Sequence, residues 1–204
     1  MSFLDHLLEK SWTAHRTVAD RHDERAVALP SATVGLRVFL AVATVVFSLL
    51  VVAYAERMTF GDWERLPTPR LLWLNTALLA LSSVGLHRAH RNARRGQMDG
   101  VKTGLLVGGG FAFAFLIGQL LAWQQLAASG YLAASNPAFA FFYLLTAVHA
   151  VHLIGGLVAW GRTSAKVWRG VAAVDVRLSA ELCAVYWHFL LAVWLVLFGL
   201  LLFT

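Results

Sequence analysis

The sequence predicts an all-α integral membrane protein: a bundle of five transmembrane helices with a cytoplasmic N-terminus and an outside C-terminus. Three observations carry that expectation. Of 204 residues, 59% are hydrophobic and only 14% charged, against about 25% charged in a soluble domain. From Thr103 to Gly161 no Lys, Arg, Asp or Glu occurs, a run long enough for two spans and the turn between them. The basic residues flank the apolar segments and gather on one side. The formal net charge of +6 therefore reads as membrane topology rather than nucleic-acid binding. Cys183 is the single cysteine, which excludes a disulfide framework within the chain, a four-cysteine zinc site and c-type haem attachment.

Residues 1–30 read as an amphipathic cytoplasmic segment, with Phe3, Leu4, Leu7, Leu8 and Trp12 at helical spacing among charged neighbours. A helix lying on the membrane surface and a loose tail both fit this pattern. The segment lacks the apolar core of a cleavable signal peptide. Residues 31–204 form the membrane domain. Its apolar segments fall at 34–54, 71–88, 103–123, 138–160 and 180–203. The second is the shortest and is bounded by Arg70 and Arg88, whose long stems reach the interface. "LPTP" precedes it. "ASNP" precedes the fourth, with Asn136 placed to cap the helix and Pro137 suited to its first turn.

Counting Lys and Arg by side sets the orientation. Lys10, Arg16, Arg21, Arg25 and Arg37 belong to the N-terminal side. Arg88, Arg91, Arg94, Arg95 and Lys102 follow the second span, and Arg162, Lys166, Arg169 and Arg177 follow the fourth. Only Arg57, Arg65 and Arg70 belong to the other side, a split of fourteen to three. The basic side is cytoplasmic, and an odd number of spans puts the C-terminus outside.

Polar side chains within the spans need partners in protein. The candidates are Asn75, Gln119, Thr146, His149, His152, Glu181 and His188. Phe142, Thr146, His149, His152 and Gly156 share an arc of about 120° at 100° per residue, and Glu181, His188 and Ala192 form a stripe on the last span. At about 1.5 Å per residue, His188 lies about 10 Å from the cytoplasmic edge and His152 about 12 Å. The two imidazoles are therefore expected to meet if the last two helices are neighbours. Gly104, Gly108, Gly155 and Gly156 allow close approach. Glu181 is either an exposed interfacial carboxylate or one held beneath His188.

Several chemistries compete for these residues. Axial haem ligation needs histidines facing each other from two helices, and two histidines three apart on one helix do not supply that. "NPA" at Asn136 to Ala138 occurs once, whereas a pore of the aquaporin kind needs two such motifs. A proton relay stops short, because Asn75 and Gln119 do not titrate. "HRAH" at His87 to His90 reads as a solvated basic loop rather than a metal site. The arginines around it read as a topology or anionic-lipid signal. Interhelical hydrogen bonding, at about 0.6–2 kcal/mol per bond, accounts for the buried polar set.

Two stretches also carry a resemblance. "FYLLTAVHAVHLIGG" (142–156) resembles the fourth-from-start signature of subunit III of the haem–copper respiratory oxidases in its five-helix form, and "ELCAVYWHFLLAVWLVLF" (181–198) resembles its closing signature. Matching places in the second stretch are Glu181, Tyr186, Trp187, His188, Phe189 and Trp194. "LNTALLALSS" (74–83) matches that family's Asn-Thr and Ser-Ser positions, and the likeness covers roughly 33–204. Ala43 and Leu191 stand where the family usually carries carboxylates.

The resemblance implies a non-catalytic structural and accessory subunit of a terminal oxidase in aerobic respiration. It would sit in a bacterial-type cytoplasmic membrane, stabilise catalytic subunit I, bind phospholipid and support proton uptake. No cofactor or metal is expected on this chain; haem and copper belong to partner subunits. The seven polar residues would then be interhelical and lipid-cleft groups, none of them catalytic. An accessory subunit of nitric oxide reductase on the same fold is the alternative, favoured by Ala43. An independent b-type cytochrome and a transporter are further alternatives, separated by a haem spectrum and by flux in liposomes.

Overall fold

The computed structural model describes residues 31–64, 67 and 69–203, without the side chains of 173–175. The amphipathic segment expected at 1–30 lies outside the described residues. The chain divides into a unit at Met1–Gly35 and a larger unit at Leu36–Thr204, which holds the bundle.

The regular elements are five helices: α1 Ser31–Arg57, α2 Leu71–Arg94, α3 Met98–Ala128, α4 Pro137–Trp168 and α5 Ala173–Phe203. Four helical stretches are long and apolar enough to cross a membrane, namely Ser31–Arg57, Met98–Ala128, Pro137–Trp168 and Val176–Phe203. α2 falls short on composition. Its last third carries His87, Arg88, His90, Arg91 and Arg94, and the part before it carries Asn75, Ser82 and Ser83.

The helices run beyond the apolar segments that announce them. The expected basic loop after residue 88 is mostly helix, because Ala89 and Ala93 continue the buried face while the arginines turn outward. "HRAH" is accordingly a helical stretch. α4 continues past Trp160 because Thr163, Ser164 and Val167 are buried. α5 begins ahead of 180, with Val176 and Ala180 buried. Asn136 caps α4 as its position predicts, accepting from Ala138 N at 2.8 Å with Pro137 in the first turn.

Three helices stop in the same way. Gly96, Gly130 and Gly170 have φ of 71°, 88° and 72°, which glycine adopts without a steric penalty. After each, the chain returns a pair of bonds to the last turn: Gly96 N to Ala93 O with Gln97 N to Asn92 O, and Gly130 N to Ala127 O with Tyr131 N to Leu126 O. Gly170 and Val171 repeat the pattern at the end of α4. These reversals keep the connectors short.

In the bundle, α2 packs on α3 and α5, and α4 packs on the same two helices. α1 is the least enclosed, burying only Ala43, Phe47 and Tyr54. Phe115 and Trp194 meet edge to face at the centre, with centroids 4.9 Å apart and planes at 90°. The closest approach is between α2 and α3. A β-carbon on Gly104 would stand 2.7 Å from Ala89 N, and one on Gly85 would stand 2.8 Å from Gly108 N. Gly156 similarly receives the rings of Tyr186 and Trp187, at 2.7 and 2.9 Å from its virtual Cβ. Gly155 has no such neighbour, since only Tyr186 Oη comes as near as 4.0 Å.

Gly104→Val should therefore destabilise the bundle by about 1–3 kcal/mol, the usual cost of overpacking. Gly110→Ala should be silent, because nothing lies within 4 Å of its virtual Cβ. Thermal unfolding in detergent, compared for the two variants, checks the contrast.

Candidate functional site

The expected polar residues are shared out over several helix contacts rather than gathered at one point. Asn75 and Gln119 do meet. Asn75 Nδ2 donates to Gln119 Oε1 at 3.2 Å across α2 and α3, with both residues buried. The amide of Asn75 lies in the space that a Cβ on Gly118 would fill. About two turns further along α2, Ser82 Oγ donates to the Gly108 carbonyl at 2.6 Å. Two side chains thus tie α2 to α3 from the glycine approach toward the start of α2.

Thr146 joins α4 to α3. It accepts from Trp123 Nε1 at 3.0 Å and donates back to Phe142 O at 2.7 Å. Trp160 Nε1 donates to Leu105 O at 2.9 Å, closing the other end of the same pair of helices.

The three histidines take three different roles. His149 is wholly buried in an aromatic cage, 6.3 Å from Phe47, 5.9 Å from Phe115 and 5.2 Å from Trp194 by ring centroids. Neither of its ring nitrogens bonds to a described residue. It brings α1, α3 and α5 together by packing. His152 Nδ1 bonds within its own helix to Val148 O at 2.8 Å, and its ring lies between Phe39 and Phe47 of α1. His188 faces α2, where Nδ1 pairs with Ser83 Oγ at 2.6 Å and Nε2 with His87 Nδ1 at 3.3 Å.

His152 and His188 therefore do not meet, although α4 and α5 are neighbours. The reason is rotation. Tyr186 and Trp187 face α4, with Tyr186 Oη donating to His152 O at 2.7 Å. His188 lies two residues on, about 200° around the helix from Tyr186, so its ring points to α2. The stripe of Glu181, His188 and Ala192 is correspondingly exposed in the chain alone. The buried face of α5 is the one through Cys183, Trp187, Leu190 and Trp194.

Glu181 is the exposed carboxylate of the two readings open to it. It acts on His90 of α2, just past the second apolar segment. Burial pushes the pKa of His90 below the ordinary imidazole value, and the charge of Glu181 partly offsets that shift. At the other end, Arg57 closes the turn after α1 through bonds of 2.7 and 2.5 Å to Asp62 and holds that carboxyl below its usual range. Asn136 Nδ2 donates to Asp62 O at 2.8 Å, so the connector after α1 is fastened to the start of α4.

Sequence reasoning overlooked the indole and phenol donors. Trp123, Trp160, Tyr186 and Trp194 each send their single N–H or O–H to another helix, Trp194 reaching Thr76 at 2.9 Å. The signal was available, since a buried Trp or Tyr in apolar surroundings needs an acceptor. Among the described residues, no group of three or more His, Cys, Asp or Glu is placed to hold a metal ion. What the arrangement does is hold four packed helices in one register.

These features define a multi-pass helical membrane protein whose polar interior is made of helix-to-helix fastenings. The model of the family described as cytochrome c oxidase subunit III matches residues 63–203, and the chain belongs to that family. Proteins named probable cytochrome c oxidase subunit 3 from Mycobacterium tuberculosis and Nocardia farcinica are similar to it. They are 26% and 28% identical over 176 and 181 residues, spanning 84% of this chain and 87% of each relative. The cytochrome c oxidase subunit 3 of Synechocystis is 27% identical over 173 residues, covering 80% of this chain and 72% of that protein.

Asn75→Leu should cost about 1–3 kcal/mol, because it strands the buried amide of Gln119. Asn75→Leu with Gln119→Leu should recover most of that loss, and a double-mutant cycle of detergent unfolding reads the coupling. His149→Phe should leave stability within about 1 kcal/mol of the parent, since an aromatic ring is replaced by another of similar volume. A larger drop in the same assay would show that the imidazole nitrogens are bonded.

Proposed function

We propose that the chain is a non-catalytic subunit III of a haem–copper terminal oxidase, docked on catalytic subunit I in a bacterial-type cytoplasmic membrane. The family match over residues 63–203 is the observation that carries the reading. Haem and copper reside in the partner subunits, and this chain contributes stability, lipid contacts and support for proton uptake. Its seven expected polar residues act as fastenings and lipid-cleft groups, with no part in the redox chemistry.

In this reading α2 is the fifth span. Its polar middle is covered by α3 and α5 through Asn75, Ser82 and Ser83, and its basic end reaches the cytoplasmic interface. The N-terminus is then cytoplasmic and the C-terminus outside. α1 supports a docked or lipid-facing role, because Val38, Val42, Val45, Leu49 and Val52 are exposed along it. A cleft of about 400 Å³ separates α1 from α5, lined by Phe47, Val51, Phe189, Val193 and neighbours. Its apolar walls suit an acyl chain. The second reading, an accessory subunit of nitric oxide reductase, is favoured by Ala43, buried where the family usually carries a carboxylate.

Affinity purification in mild detergent tests both. The expected result is co-purification of an oxidase subunit I with its haem spectrum; co-purification of a nitric oxide reductase catalytic subunit selects the second reading, and a chain isolated alone refutes both. His188→Ala should weaken α2–α5 contact and retention on subunit I, yet leave the haem spectrum of assembled complex unchanged. In a Cys183→Ala background, Gln97→Cys should label only from the cytoplasmic side and Ser135→Cys only from outside. The opposite pattern in sealed cells would reverse the proposed orientation.

A further inference from the structure

His87 of α2 and His188 of α5 face each other, with His87 Nδ1 3.3 Å from His188 Nε2. The ring centroids lie 5.4 Å apart. The other nitrogen of His188, Nδ1, pairs with Ser83 Oγ at 2.6 Å. Among the described residues, these are the side-chain hydrogen bonds that join the second half of α2 to α5. The remaining α2–α5 bond, from Trp194 to Thr76, lies near the start of α2. The basic end of α2 is thus held to α5 through two imidazoles that are both exposed in the chain alone.

A hydrogen bond between two imidazole nitrogens needs one N–H and one bare nitrogen. With both rings neutral the set closes: Ser83 donates to His188 and His188 donates to His87, or both bonds run the other way. One added proton is accommodated, because a charged His188 donates to Ser83 and to His87 at once. A second is not. Both facing nitrogens then carry hydrogen, the bond has no acceptor, and two positive rings stand at hydrogen-bond distance.

The surrounding charges do not relieve that repulsion. Besides His87, the group whose charge reaches His188 is His90 of α2. Around His90 stand one carboxylate, Glu181 of α5, and two cations, Arg177 of α5 and Arg94 of α2. On α3, Asp99 is paired with Lys102 at 3.5 Å, and α3 and α4 carry no Lys, Arg, Asp or Glu from Thr103 to Gly161. Beyond that run α4 adds Arg162 and Lys166, the latter donating to Ser179 Oγ at 3.0 Å. His149 and His152 of α4 pack on Phe47 of α1 instead, and the charge of α1 nearest its start is Arg37.

We propose that His87 and His188 form an acid-released clasp between α2 and α5, closed while the pair carries at most one extra proton and open when both rings are charged. The stability it contributes is present at neutral and alkaline pH and is lost as pH falls below the imidazole range. α2 stays on α3, because the glycine approach there involves no titrating group. Opening therefore parts α2 from α5 without unwinding either helix. The inference goes beyond the accessory role above and concerns this chain's own residues, so its failure leaves that role standing.

The test uses the full chain in phosphatidylcholine nanodiscs, with nitroxide labels on Arg91→Cys and Val185→Cys in a Cys183→Ala background. Both labelled positions are exposed. One lies a turn past His87 and the other a turn before His188 on helices that run in opposite directions. Pulsed electron paramagnetic resonance reads their separation at about pH 8 and about pH 5, either side of the imidazole value. The parent should show a short separation at the higher pH and gain a longer one at the lower, reversibly and with unchanged helical circular dichroism. Replacing His87 should abolish the pH dependence. His87→Asn, which keeps an acceptor near the place of Nδ1, should stay short, and His87→Phe should be long at both. His90→Asn should still open in acid. A parent separation that does not change with pH overturns the proposal, as does acid opening that persists in both His87 variants or disappears in His90→Asn.

Discussion

Gly85, Gly104 and Gly108 bring the backbones of α2 and α3 so close that a side chain at Gly85 or Gly104 would strike the main chain opposite. α2 depends on that approach. It is the least apolar of the five helices, and alone in lipid it would expose Asn75, Ser82 and Ser83. Each unpaired polar group there carries a desolvation cost. With α3 at glycine distance, Ser82 reaches the Gly108 carbonyl and Asn75 reaches Gln119. α5 then covers the remaining hydroxyl, Ser83, through His188. Van der Waals contact and the Ser82 and Asn75 hydrogen bonds thus arrive together, because the same missing β-carbons permit both.

The rest of the bundle extends this logic with larger donors. Trp123, Trp160, Tyr186 and Trp194 give each helix contact an apolar body and one directed hydrogen bond. Lipid is as apolar as leucine, so burying a leucine between helices gains little over leaving it in lipid. Directed bonds and close-packed rings are what distinguish one register from its neighbours. The α1 face and the α1–α5 cleft are outer features held in place by the internal fastenings. At the basic end of α2, His87 meets His188, and the charge of Glu181 acts on His90.

Much of this was legible in the residues. The uncharged run from Thr103 to Gly161 marks α3 and α4 because charge is excluded from lipid. The Asn136–Pro137 pair marks the start of α4 because a cap and a proline act locally. Asn75 and Gln119 declared themselves as buried because amides in apolar segments need partners. Less was legible where function depends on which way a helix turns. The stripe through Glu181 and His188 looked like the inner face of α5, yet the bulkier Tyr186, Trp187 and Trp194 took the interior, since large rings gain most from being enclosed. His149 and His152 shared an arc as expected, but one is packed without a bond to a described residue and the other bonds its own helix.

The amino-acid sequence by itself determined that this chain is helical and membrane-embedded, where its apolar segments fall, and which family it resembles. The first two follow from composition and apolar run length and the third from short motifs, all of which involve residues near one another in the chain. Only the tertiary structure decided that His188 pairs with Ser83 and His87 rather than with His152, and that α2 lies against α3 at glycine distance. Such outcomes turn on rotations about helix axes and on partners up to 118 residues apart, as for Trp194 and Thr76. Those rotations are set by how all five helices share limited interior volume, and no single segment carries that information.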